Sequence, residues 1–450
     1  MTTLAGIDTK RLAKIAAREA KRYANGRPKS AAAKGEAWLN AVPMHWMTDW
    51  PMPFPMVVDQ ARGARLTCID GYQVDDFCLG DTGSMFGHSP APVARAITAQ
   101  AKRGLTYMLP SADAAEAGRL LCDVFGDFRW QIAATATDAN RYAIRVARAV
   151  TGRPKVLVFD GCYHGTVDDT MVALDHDQTI SRPSLIGRVQ DLARGAVACT
   201  FNDLDSVQAA LATGDVACVL MEPVMTNCCM VLPDDGFLHA IQDLCTTHGA
   251  LFITDETHTI STGRGGYTRV HGLAPDMVVV GKCVAGGMPT AVWGMTSAVA
   301  NRFNTYNETR PSGHSGMGTT LAGNPMQCVC LKATLAEVMT DANYAHMDAG
   351  AARLAKGLSA AITKHNLPWH VVRVGARVEF ICAPGPLRNG AEAALAHVPQ
   401  VESVLHTALL NRGCLIAPFH NMMLVSPVTK NRQIDRLIAA FDEILTDLAP

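Results

Sequence analysis

Between about residues 90 and 330 the chain repeats one pattern: a short, nearly continuous apolar run, then in places a stretch of helical periodicity. The runs are WQIAAT (130–135), KVLVFD (155–160), AVACTF (196–201), ACVLMEP (217–223), ALFITDE (250–256) and DMVVVG (276–281), with helices such as 138–150 and 234–248 between some of them. Apolar runs without alternation offer no polar face to water. Strands of this kind are covered on both sides, so the pattern predicts an α/β fold built on a mainly parallel sheet. From about 331 it changes to a long helix, a few strands (VVRVGARVEFI, LIAPF, MMLVSP) and a terminal helix from about 430. The predicted organisation is an N-terminal helix and arm over 1–65, a large ligand-binding domain over 66–330 and a small C-terminal α+β domain over 331–450.

Residues 9–35 are basic and Ala-rich and read as a solvated N-terminal helix or dimer arm. A transit peptide is the alternative, against which Asp8 and Glu19 speak. Residues 40–56 hold four Pro and two Trp and predict an extended arm.

The 40 Lys+Arg and 41 Asp+Glu leave a net charge of −1, so there is no general attraction to nucleic acid or an anionic membrane. No apolar run approaches the ~18 residues of a membrane span. The 14 Cys lack the spacing of a zinc clip, and no signal peptide is read before them. They predict reduced thiols in a cytoplasmic protein. No HExxH occurs, and no metal site is expected. Gly263-Arg264-Gly265-Gly266 lacks the dinucleotide-binding pattern, and Gly313-His314-Ser315-Gly316-Met317 ends in the wrong residue for a nucleophile elbow.

Ligands of open α/β sheets bind beyond the carboxyl ends of the strands. Thr135-Ala136-Thr137-Asp138 follows the first run and opens a helix. Gly161-Cys162-Tyr163-His164-Gly165 follows the second, and Glu222-Pro223 with Thr226-Asn227 follows the fourth. The fifth ends in Asp255-Glu256-Thr257-His258 and the sixth in Lys282. A fixed strand-end lysine forms a Schiff base with a carbonyl. An acid on the neighbouring strand holds a pyridine nitrogen protonated, and an aromatic at a turn lies on a flat ring. Small and hydroxylic residues at a helix start bind phosphate. Together these are the requirements of pyridoxal phosphate. Singly, each has an ordinary reading: a surface lysine, a turn-capping aspartate, a packed tyrosine, an N-cap threonine.

The sequence resembles the class III pyridoxal-phosphate aminotransferases of fold type I, within the branch that contains glutamate-1-semialdehyde aminomutase. The resemblance covers roughly residues 45–450 and rests on FGHSPAPVARAI, ATATDANRYAIRVARAVTGRPKVLVFDGCYHG, MEPVMTN, GALFITDETHT, GLAPDMVVVGKCVAGGMP and GTTLAGNP. It implies a seven-stranded, mainly parallel sheet and a small C-terminal domain. It also implies that Lys282 carries the cofactor and that Asp255 pairs with its ring nitrogen. Thr135, Ala136 and Thr137 would bind phosphate, Tyr163 and Thr257 would pack on the two ring faces, and Asn227 would reach the phenolic oxygen beside Glu222. Thr319 and Thr320 would bind phosphate across a homodimer interface, completing a shared site.

The chain also departs from that pattern. Ala136 and Asp138 replace the family's Gly and Glu, and Thr257 replaces Val, with His258 next to it. Leu424 stands where many members carry a carboxylate-binding arginine, and His420 about where the aminomutases have Glu. The segment after Gly165 lacks their long gating loop. His45-Trp46 lie where some β-amino acid aminotransferases place an arginine. Arg377 is then the candidate anchor for a substrate carboxylate. The resemblance implies an aminotransferase acting on small-molecule amines and carbonyl compounds. The alternatives are an aminomutase, a racemase, or a cofactor-binding regulator without turnover.

Overall fold

The computed structural model describes residues 3–33 and 35–448. The chain divides into two compact units, one made of Ala91–Asp341 with Leu387–Ala394. The other takes the residues up to Pro90, Ala342–Pro386 and the chain from Leu395 onward.

The first unit is built on a seven-stranded sheet. Its strands are β1 (Arg129–Ala133), β2 (Lys155–Phe159), β3 (Ala196–Cys199), β4 (Val216–Met221), β5 (Leu251–Asp255), β6 (Met277–Val280) and β7 (Ala291–Met295). Their order is β3-β2-β4-β5-β6-β7-β1. The pairs from β3 to β6 are parallel, and β7 runs antiparallel to both β6 and β1. β4, β5 and β6 are buried along their whole length, which is why their sequences show no alternation. β7 was not among the expected runs. It is five residues long, with Gly294 near its centre and Pro289 just before it, a weak local signal for a strand.

Each expected strand ends one or two residues earlier than read: β5 stops at Asp255 and β6 at Val280. The residues cut off are the ones that leave the sheet to form the turns of the site. The helix Ala136–Thr151 buries Ala139, Asn140, Ala143, Ile144, Val146 and Ala147. Its apolar face packs in one core with Val156, Val158, Leu220, Ile253 and Val279 of the sheet.

In the second unit the helix Thr9–Gly26 is capped by Asp8, which accepts a hydrogen bond from Arg11 N at 2.8 Å. The reading as a solvated helix is corrected here. Leu12 and Ile15 enter a core with Leu405, Leu409 and Phe441, and the buried Glu19 carboxylate accepts from Asn411 Nδ2 at 2.9 Å. The basic residues occupy the other face, so composition concealed an apolar stripe. The expected extended arm contains two short 3-10 turns, Leu39–Ala41 and His45–Thr48. The strands Val58–Arg62, Arg65–Cys68 and Gln73–Asp76 form a sheet with Cys414–Leu415. A separate antiparallel sheet joins His370–Val374, Arg377–Ile381 and Met422–Leu424.

Candidate active site

Asp255 ends β5 and is buried. Its Oδ2 accepts from Asn140 Nδ2 at 2.8 Å and lies 3.0 Å from His164 Nδ1, while Oδ1 accepts from Thr257 N at 3.1 Å. Burial pushes the Asp255 carboxyl up, but the hydrogen bond and charge of His164, aided by Thr257 and Asn140, hold it below the usual carboxylate range. Burial likewise opposes the His164 cation, and Cys162 and Asp255 outweigh it, raising the imidazole well above its ordinary value. The pair is therefore a buried imidazolium–carboxylate ion pair. Asn140 Nδ2 also donates to His164 O at 3.1 Å, tying the helix to the turn after β2.

The next residue, Glu256, takes no part. Successive strand residues point to opposite faces. Its carboxylate accepts from Tyr267 N at 2.9 Å, Thr268 N at 2.6 Å and Thr259 Oγ1 at 2.6 Å, pinning the loop that follows.

Lys282 begins a 3-10 turn just after β6 with φ at +51°, a left-handed conformation that is unusual for a residue with a side chain. Strain of this kind gathers where a side chain must be aimed. Its Nζ contacts His258 Nε2. His258 Nδ1 lies 2.7 Å from Thr226 Oγ1, which donates to Glu222 Oε2 at 2.6 Å. Glu222 Oε1 accepts from Tyr163 N at 3.1 Å, and Asn227 Nδ2 stands 3.4 Å from the same carboxylate. Burial raises the Glu222 carboxyl, with His164 and Thr226 only partly offsetting it.

Thr135 caps the helix Ala136–Thr151 by accepting from Asp138 N at 3.2 Å, and Ala139 N bonds to Thr135 O at 3.1 Å. The N–H groups of Ala136 and Thr137 belong to the first turn, where the helix itself supplies no acceptors. Thr137 Oγ1 accepts from Thr166 N at 3.1 Å. The helix start is pressed against its neighbours. A Cβ at Gly281 would come 2.8 Å from Ala136 Cβ, and one at Gly165, where φ is +80°, 2.2 Å from Thr137 Oγ1. The Thr257 hydroxyl is buried there without a hydrogen-bond partner among the described residues.

The structure thus brings together Lys282, Asp255, Glu222, Asn227, Thr257 and the backbone of Tyr163. Thr319 and Thr320 stand exposed along a recess of about 500 Å³ that they share with Met108, Leu109 and Trp130. The second unit holds the other candidates. His45 and Trp46 are exposed on their turn. Arg377 is fully buried, donates to Thr82 Oγ1 at 2.5 Å and stands opposite Leu424 on the adjacent strand. His420 Nδ1 lies 3.1 Å from Glu379 Oε1. Sequence reasoning gave no role to Asn140, His164 or Thr226, and noted His258 only as a departure. A signal was present for one of them: Asn140 lies four residues after Ala136, one helical turn along the same face.

The arrangement fits pyridoxal phosphate on its own terms: an anion site at a helix start, a carboxylate locked in its charged form, a buried hydroxyl lacking a partner and an aimed lysine. The sequence matches the family model for "Aminotransferase class-III" over residues 47–445.

The chain belongs to the class III aminotransferases.

Its fold is fold type I of the pyridoxal-phosphate enzymes, and its cofactor is pyridoxal 5′-phosphate. A glutamate-1-semialdehyde 2,1-aminomutase of Sorangium cellulosum (strain So ce56) is 33% identical over 398 residues, covering 87% of this chain and 89% of that one. The crystal structure of a glutamate-1-semialdehyde-aminomutase from Pseudomonas aeruginosa PAO1 matches with a TM-score of 0.95 at 44% identity, over 98% of this chain and 99% of that one. A lysine-to-alanine variant of that enzyme has been crystallised in complex with PMP. The β-phenylalanine aminotransferase from Variovorax paradoxus shares the fold, with a TM-score of 0.84 at 24% identity over 97% of each chain. Among the described residues of this class III enzyme, no helix is long and apolar enough to cross a membrane, and no group of three or more His, Cys, Asp or Glu is placed to hold a metal.

Proposed function

We propose that this class III enzyme moves an amino group from an amine or amino acid to a keto acid or other carbonyl compound. The observation that carries this reading is Lys282 just after β6, beside Asp255 at the end of β5 and its partner His164 in the turn after β2. Pyridoxal phosphate, when bound, supplies an electrophilic carbonyl carbon and an electron-accepting ring. Ala136 and Thr137 would bind its phosphate by their backbone N–H groups, and Asp255 would hold the ring-nitrogen proton. Tyr163 and Thr257 would flank the ring. Lys282 would take the proton from the substrate carbon and return it two atoms away, on the other side of the nitrogen, a 1,3 shift.

Two departures support intermolecular transfer: Leu424 in place of the usual carboxylate arginine, and a buried Glu379–His420 pair where the aminomutases carry a glutamate. Arg377, on the same sheet face as Leu424, is the proposed carboxylate anchor, with His420, His45 and Trp46 as further substrate contacts. A second reading is an aminomutase, which shifts the amino group within one molecule. The names of the 33% and 44% identical relatives favour it.

We further propose a cytoplasmic homodimer with shared sites. The surface beside Thr319 and Thr320 is apolar: Met108, Leu109 and Leu321 are 79%, 70% and 60% exposed. A monomer rarely leaves such a cluster to solvent.

The test is a panel of amines and amino acids, each assayed with and without a keto acid. Transfer predicts that each donor converts the cofactor once and that turnover needs the acceptor. Turnover of glutamate-1-semialdehyde without any acceptor would establish the aminomutase instead. Loss of substrate chirality alone would indicate a racemase, and no spectral change with any donor a regulator.

A further inference from the structure

His258 lies between the two ends of a buried polar chain. It contacts Lys282 at Nε2 and Thr226 at Nδ1, and Thr226 reaches Glu222. The chemistry of these groups fixes the direction of the bonds. An ionised carboxylate has no hydrogen to give, and a hydroxyl has one. The Thr226 hydrogen goes to Glu222 Oε2 at 2.6 Å, so the Thr226 oxygen accepts from His258 Nδ1–H at 2.7 Å. In the neutral imidazole Nε2 is then an acceptor, and Lys282 Nζ–H donates to it.

We propose that His258 is the positioning residue of Lys282. Its Nε2 holds the amine, and its Nδ1 joins that amine, through the Thr226 hydroxyl, to the Glu222 carboxyl as a proton relay. The inference rests on the proposed role of Lys282 as the base that takes a substrate proton.

The bond to Nε2 uses one N–H of the amine and leaves its lone pair to accept a proton. Once Lys282 is an ammonium, one transfer runs along the chain. A Lys282 N–H bond breaks as His258 Nε2–H forms. His258 Nδ1–H breaks as a Thr226 O–H forms, and the original Thr226 O–H breaks as Glu222 O–H forms. One proton has moved, and the reverse sequence returns it. Burial favours Glu222 as the receiving end, because it raises the carboxyl. The charged groups facing the chain are Lys282 itself, His164, which favours the Glu222 carboxylate, and Asp255, which disfavours it.

The test uses the full chain with and without pyridoxal phosphate. Without it, the pH midpoint for acetylation of Lys282 is read by peptide mass spectrometry; with it, kcat is measured with an active donor. His258→Met should lower the acetylation midpoint by about one pH unit, because the half-buried ammonium loses its acceptor. His258→Gln should restore the midpoint, since its amide oxygen accepts from Nζ, yet leave kcat about 10–100-fold low, since an amide does not pass a proton. A purely structural histidine predicts that Gln rescues both properties or neither. Thr226→Val, which leaves His258 on Lys282, should lower kcat by a similar factor with an unchanged midpoint. A wild-type midpoint in His258→Met, or wild-type kcat in His258→Gln or Thr226→Val, overturns the proposal. Activity in Lys282→Ala would instead remove the reading on which it rests.

Discussion

His164 Nδ1 lies 3.0 Å from Asp255 Oδ2, and both side chains are buried. A charge pair out of water is expensive to break, because removing one partner strands the other. In the proposed role this cost has a use: the cation beside Asp255 keeps it ionised at the end of β5, where the ring nitrogen would need a carboxylate. The signs follow from the two shifts. Asp255 is depressed, so its contribution to stability is present above about pH 4 and is lost as pH falls through its folded value. His164 is raised, so its contribution is complete below about pH 6.5 and is lost only as pH rises through its folded value.

Asp255→Asn should reduce kcat by about 10²–10³-fold, the range for loss of a preorganised charge. The amide keeps the shape but cannot hold the ring-nitrogen proton. Steady-state kinetics beside a thermal melt separates this loss from unfolding. Near-wild-type rates would refute the assignment.

Lys282→Ala should abolish turnover while the protein still retains the cofactor. The helix start at Ala136–Thr137 and the Asp255 carboxylate, which are proposed to bind it, remain in place. Retention after dialysis is read by absorbance. More than trace transamination without an added amine would show that Lys282 is not the residue that carries the cofactor.

Burial lowers the His406 imidazole to about 4, against a partly opposing hydrogen bond to Asn421. The unfolded chain takes up this proton near pH 6.5, so stability should fall as pH drops from about 6.5 to about 4, by on the order of 3 kcal/mol at most. His406→Gln keeps a donor for Asn421 Oδ1 and removes the titration. Urea unfolding at pH 7 and pH 4.5 should show the variant losing less. Parallel losses in both proteins would mean that folded His406 protonates as readily as unfolded.

Arg377→Ala should raise KM for amino- and keto-acid substrates by about 10- to 150-fold and spare carboxylate-free amines, since a buried charge-assisted contact contributes roughly 1.5–3 kcal/mol. It should also lower Tm, because the side chain fills buried volume and bonds Thr82. Equal small effects on both substrate classes would make Arg377 structural, with the anion site elsewhere.

A Lys282→Ala chain mixed with a Thr320→Val chain should regain activity. In a heterodimer with shared sites, one site carries both lesions and the other neither, so random mixing restores about a quarter of the sites. A fully active monomer on light scattering would end the shared-site proposal.

Some of this was legible locally. Unbroken apolar runs such as VACVLM and MVVV have no polar face, so burial on both sides followed directly, and with it a mainly parallel sheet. Lys282, Asp255 and Thr135 were legible because strand ends and helix starts are places the chain itself marks. β7 was not, because five residues around a glycine carry too little pattern. The buried stripe of Thr9–Gly26 was hidden behind its basic face.

What the sequence determined by itself was six of the seven strands of the large sheet, their polar ends and the chemistry available there, since these depend on neighbours a few residues apart. Tertiary structure decided which of those groups meet. His164 and Asp255 are 91 residues apart, Lys282 and His258 24, and His258 and Thr226 32. Their hydrogen bonds exist because parallel strands bring their carboxyl ends to one edge of the sheet. There close contact, acting against the cost of burial, turns ordinary side chains into an ion pair and a linked chain of donors and acceptors. Pairing across such distances depends on sheet order and register, which no local pattern encodes.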